Sequence, residues 1–153
     1  MLTRFKIVIV VGIMATLALS ACGGTGGDGG GGAVDVTLQD WAVIPAQDSV
    51  EAGSVTFNVT NEGPHPHEFV VIRTDLAPDA LPTMPEGMVD EEGEGIEVIG
   101  EIEEFPRGET RSATFDLDPG SYVLVCNLVG NPATHPVPEI HYEMGMRTTF
   151  TVE

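Results

Sequence analysis

The residues best suited to chemistry collect near the C-terminus. Residues 122–147 read YVLVCNLVGNPATHPVPEIHYEMGMR, and a short tail, TTFTV, follows. An apolar run leads straight into Cys126. A loop rich in glycine and proline comes next, and then His141, Met144 and Met146. A thiolate, an imidazole and a thioether on one loop between two strand-like segments form a donor set for a soft metal, copper above all. Such a site also takes a further imidazole nitrogen. Four histidines could supply it or compete for it: His65, His67, His135 and His141. His65 and His67 are two residues apart and share a side in an extended chain. By spacing alone, His65 against His67, His135 against His141 and Met144 against Met146 stay open. A methionine here could equally fill a gap in a core.

The other cysteine belongs to a different part of the chain. Arg4 and Lys6 precede the apolar run of residues 7–19, the layout of a secretory signal peptide over residues 1–21. It ends in Leu19-Ser20-Ala21-Cys22, which resembles a bacterial lipobox with Cys22 as the lipidated N-terminus. Residues 22–33 continue as a glycine-rich stretch that reads as a flexible tether. The expectation is an exported domain, lipid-anchored to a membrane on its periplasmic or extracytoplasmic face. A lipidated Cys22 leaves Cys126 without a disulfide partner, so Cys126 is either a ligand or an inert buried thiol.

The elements that must position these residues begin near Val34. Alternating or apolar runs at 34–38, 42–44, 54–60, 67–74, 96–102, 110–117, 122–125 and 148–152 are separated by turn signals such as Asn61-Glu62-Gly63-Pro64 and Asp118-Pro119-Gly120. No segment carries a sustained helical period, although residues 77–88 have room for a short helical turn. Seven to eight short strands over residues 34–153 predict an all-β, Greek-key β-sandwich. Residues 75–95 form an irregular section. From Glu86 through Glu104 there are nine acidic residues and four glycines. Their spacing does not match an EF-hand calcium loop, and a solvated surface flap is the expectation, with a docking patch for a cationic partner behind it. The net charge of −18 argues against nucleic acid or anionic lipid as a partner.

Two segments together resemble the cupredoxin, or blue copper, family in its small plastocyanin-like and sulfocyanin-like members. The first is Asn61-Glu62-Gly63 followed by His67-Glu68-Phe69. The second runs from Pro119-Gly120 and Tyr122 through Cys126-Asn127 to His141-Tyr142 and Gly145-Met146. The resemblance implies one copper ion held by His67, Cys126, His141 and Met146. The ten residues 131–140 before His141 depart from the family's shorter spacing and keep His135 in play. A carboxylate ligand, Glu139 or Glu143, is the minor variant.

The resemblance implies a mononuclear type 1 copper protein that carries single electrons and catalyses no bond chemistry. Its partner would be a redox protein such as a cytochrome or a membrane oxidoreductase. The chain would act as a monomer, with electrons leaving by an exposed edge of His141 within a patch of Leu128, Val129 and Pro138. The alternatives are a copper-binding module for metal buffering or delivery, which would use the same ligands, and a metal-free Ig-like binding sandwich with an inert Cys126.

Overall fold

The structure is a computed structural model that describes residues 30–130 and 139–153. The leader, Cys22, most of the tether and His135 lie outside the described residues. Nine strands and one helical turn are present among the described residues: β1 (Gly31–Gln39), β2 (Ala42–Pro45), β3 (Ser49–Val50), β4 (Gly53–Asn61), β5 (His67–Arg73), β6 (Glu97–Phe105), β7 (Thr110–Leu117), β8 (Gly120–Val125), α1 (His141–Met144) and β9 (Arg147–Val152). They form two sheets, ordered β2-β1-β4-β7 and β3-β9-β8-β5-β6. The all-β sandwich expected from the turn-punctuated runs is what the chain forms. The two-residue β3 is the strand too short to show a pattern. β1 begins at Gly31, inside the stretch read as tether, because residues 31–33 pair in parallel with residues 54–56 of β4.

Alternation places the core. On β4, Val55, Phe57 and Val59 are fully buried while Thr56, Asn58 and Thr60 are not. Val34, Val36 and Leu38 of β1 share that inward face. Phe57 sits at the centre, its ring 5.2 Å from Phe69 and 5.7 Å from Phe150. These two contacts tie the sheets together across the sandwich, since β4 belongs to one sheet and β5 and β9 to the other.

β5 and β8 do not alternate; residues 69–72 and 122–125 are all buried. Such strands need cover on both faces. Phe69, Val71, Tyr122 and Leu124 face the inter-sheet core, whereas Val70, Ile72, Val123 and Val125 face outward into a second cluster. Leu81 and Val89 from the irregular section and Ile140 and Tyr142 from the C-terminal loop cover that outer face. The acidic section is therefore only partly the solvated flap expected of it. Its few apolar residues seal a sheet while its carboxylates stay in water. It contains no helix; a bridge between Thr83 and Val89 closes a tight loop instead.

Tyr142 pins this cover. Its hydroxyl donates to the Pro78 carbonyl at 2.9 Å and accepts the Leu81 N–H at 3.2 Å. In Tyr142→Phe the buried Leu81 N–H loses its acceptor, at a cost of about 1–3 kcal/mol. Chemical denaturation should show that loss, and hydrogen exchange should show the Leu81 amide opening faster than the β5 amides.

Candidate metal centre

His67 is the first residue of β5, and its side chain is fully buried. The turn before it is fastened by Asn61. The Asn61 amide nitrogen donates to the carbonyls of His65 and Phe105, at 2.9 and 3.1 Å, and its oxygen accepts the Gly63 N–H at 3.0 Å. The N-x-G-x-x-x-H pattern is thus a turn that delivers a histidine to the start of an inner strand.

Cys126 follows the last residue of β8 and is also fully buried. Its N–H donates to the Met146 carbonyl at 3.0 Å. His141 opens α1, with its N–H on the Leu128 carbonyl at 3.0 Å. Gly145 ends that turn at φ +115°, a left-handed conformation that disfavours any side chain. The chain then doubles back, and the Met146 N–H reaches the His141 carbonyl at 3.0 Å. The His-Tyr-x-x-Gly-Met ending is therefore one compact turn that sets His141 and Met146 against Cys126.

These elements bring three donor atoms together. The Cys126 Sγ lies 3.3 Å from the His141 Nδ1 and 3.8 Å from the His67 Nδ1, and the two Nδ1 atoms are 3.1 Å apart. All three residues are buried, and they are the one cluster of its kind among the described residues. Met146 is fully buried in the same core cluster as Cys126. Among the described residues, the competing candidates separate from the site. Met144 is 48% exposed. The His65 Nδ1 meets the Asp40 Oδ2, and its ring stacks on Trp41 at 5.6 Å. His65 lies in the bend at residues 63–65 before β5, and it is outside the donor cluster. Glu139 and Glu143 are not in the cluster.

The electrostatics suit a cation. Burial pushes the Cys126 thiol up to about 12, against backbone hydrogen bonds from Glu68 and Leu128 that favour the thiolate. Burial also lowers His67, partly offset by Asp40. It pushes His141 down to about 4, with the neighbouring His67 adding to the effect. Two neutral imidazoles and a buried thiol thus present two nitrogen lone pairs and one removable proton. Two nitrogens and a sulfur, with a buried thioether beside them, fit copper by donor chemistry.

Two residues near the site carried no sequence signal. Asp40, in the turn between β1 and β2, places its Oδ1 3.0 Å from the His67 Nε2. Trp41 sets its ring edge-on to His141 at 5.1 Å. His141 itself is 2% exposed, so the exposed edge expected of it is absent.

No protein-family model and no curated protein matches the chain. Solved structures do match. Auracyanin A from Chloroflexus aurantiacus, described as a "blue" copper protein, superposes with a TM-score of 0.52 at 17% identity, over 81% of this chain and 100% of its own. The chain has the cupredoxin fold. Auracyanin B gives a TM-score of 0.51 at 23% identity, covering 80% of this chain and 88% of that one. Dithionite-reduced auracyanin from Roseiflexus castenholzii gives 0.51 at 18%, covering 80% and 96%. At these identities the likeness is one of fold.

Metal uptake should be linked to protons through Cys126. A thiol pushed up to about 12 is protonated at pH 8 and must ionise on binding. Both histidines are lowered and already neutral there. Glu68, raised to about 7 chiefly by burial, is mostly ionised. A pH-stat titration at about pH 8 should therefore record about one proton released per metal bound. Apparent affinity should rise about tenfold per pH unit in this range.

Proposed function

We propose that this chain is a mononuclear blue copper protein that carries single electrons. The observation that carries the reading is the convergence of the Cys126 Sγ, His67 Nδ1 and His141 Nδ1 within 4.8 Å of one another at one buried end of a cupredoxin sandwich. His67, Cys126 and His141 would hold the ion, and the Met146 thioether would be the weaker fourth donor. A bound copper ion supplies a one-electron Cu(I)/Cu(II) couple.

The protein's own contribution is to hold its donors still and dry. His67 is fixed by its Nε2 contact to Asp40, and Cys126 and His141 by backbone bonds to Met146 and Leu128. The Cys126 sulfur accepts the Glu68 N–H at 3.4 Å, which stabilises negative charge on it. Little in such a frame needs to move when the charge of the site changes by one. Burial of the three donor residues to 2% exposure or less disfavours the buffering and delivery reading, since handing over metal requires access to the ligands.

The same proposal takes the domain to be exported and anchored to a membrane through a lipidated Cys22. It works there as a monomer that serves a redox protein, a cytochrome or a membrane oxidoreductase. The net charge of −18 supports a cationic docking face on that partner. Electron exchange with a cationic cytochrome should then slow as salt is raised through the physiological range. A rate indifferent to salt would remove charge steering from the proposal.

Adding Cu(II) to the metal-free protein should give a 1:1 complex with an intense thiolate-to-copper visible band. Cys126→Ser should abolish the band and weaken copper binding by more than about 100-fold, beyond what loss of an outer contact costs. A band that survives in Cys126→Ser, or a wild-type protein that takes up no copper, would refute the proposal.

A further inference from the structure

We infer that Asp40 is the positioning carboxylate of the metal centre. It accepts the Nε2 proton of His67, turns the Nδ1 lone pair toward Cys126 and His141, and places a negative charge behind the ligand. The role deepens the copper reading and, for its electronic part, rests on it. Its geometric part stands on the metal-free protein.

A neutral imidazole carries one proton on one of two nitrogens, and the partner of the other nitrogen decides which. The Asp40 Oδ1 lies 3.0 Å from the His67 Nε2. A carboxylate only accepts, so this contact requires the N–H to be at Nε2. The Nδ1 is then the unprotonated atom, and it is the atom that faces the Cys126 Sγ at 3.8 Å and the His141 Nδ1 at 3.1 Å. His67 is fully buried, so water does not compete for its Nε2.

Asp40 is itself held in place. Its Oδ2 meets the His65 Nδ1, and the His65 ring lies face-on to Trp41, with 13° between the planes. His65, the rejected ligand, thereby gains a role: it fixes the carboxylate that fixes the ligand. Gly63 gives independent support. A Cβ at this position would lie 2.6 Å from the Asp40 Oδ1 and 2.8 Å from the His67 Nε2. The glycine of the turn therefore leaves room for this hydrogen bond.

The electronic consequence follows from charge. A carboxylate hydrogen-bonded to a ligating imidazole makes it a stronger donor. It also favours the more highly charged state of the metal. Asp40 should accordingly stabilise Cu(II) over Cu(I) and lower the reduction potential of the centre.

The test has two arms. In the first, ¹⁵N NMR of the metal-free wild type should show His67 with its proton on Nε2, and Asp40→Ala should lose that preference. A His67 protonated at Nδ1 in the metal-free wild type would overturn the assignment, whatever the protein does with copper. In the second, Asp40→Asn keeps the shape and an acceptor oxygen but removes the charge. Its tautomer and visible band should persist, while the preference for Cu(II) over Cu(I) falls about tenfold, a rise in potential of about 59 mV. An unchanged potential in Asp40→Asn would show that Asp40 only braces the turn, and would overturn the electronic role. If the wild type gave no thiolate-to-copper band, the copper reading would fail and the electronic role with it, while the NMR arm would still decide the tautomer.

Discussion

The hydrogen bond from the Cys126 N–H to the Met146 carbonyl closes the last loop of the sandwich, and the site depends on that closure. It sits where the antiparallel pairing of β8 with β9 would have continued past Val125 and Arg147. The chain leaves the sheet at Cys126 and returns to it at Met146, so the intervening loop starts and ends at one point. The Met146 N–H on the His141 carbonyl then brings the α1 turn back to the same point. Two backbone bonds of ordinary length thus set the positions of three of the four proposed ligands. The fourth, His67, enters from β5, the strand paired with β8 on its other side. Neighbouring strands in one sheet bring together residues that lie 59 positions apart in the chain.

A site assembled this way is buried by construction, and burial sets its chemistry. The same loss of water that pushes Cys126 up to about 12 pushes His141 down to about 4. Both shifts favour neutral groups, so the metal-free site carries little charge and is tolerated inside a core. A cation reverses the balance for the thiol, because a coordinated thiol gives up its proton. Asp40 stands at the edge of this region. Its side chain is 16% exposed, so its carboxylate keeps some contact with solvent while its Oδ1 reaches a fully buried imidazole. That placement lets a charge act on the site without being buried in it.

The strand pattern was legible because alternation and turn residues carry it. Val55, Phe57 and Val59 face one way because side chains alternate along a strand, and Asn61-Glu62-Gly63-Pro64 ends it because these are turn residues. Spacing alone left His65 and His67 open, and only the resemblance of His67-Glu68-Phe69 to the family segment favoured His67. His67 and Phe69 lie on β5, while His65 lies in the bend before it, where the chain is not extended. Asp40 was not legible. It lies 27 residues from His67, in a turn of the other sheet, and only packing the two sheets together creates the contact. The second core was half legible. The runs at 67–74 and 122–125 were legible as apolar strands, but nothing local identified Leu81, Val89 and Tyr142 as the cover of their outer face.

That cover changes the meaning of the acidic section. Asn127, the residue after Cys126, accepts the Val89 N–H at 2.7 Å and donates to the Val89 carbonyl at 3.1 Å and to Glu91 at 3.0 Å. Its own N–H donates to the Glu68 carboxylate at 2.9 Å, and the N–H of Glu68 donates to the Cys126 sulfur. The acidic section is therefore latched to Asn127, the residue after Cys126. A sequence dense in carboxylates would repel itself away from a sheet if charge alone governed it. Here a few apolar side chains and the Asn127 amide hold it against β5 and β8, and most of its acidic residues are exposed, where repulsion is screened. The surface charge and the buried site are thus joined through one asparagine and one glutamate.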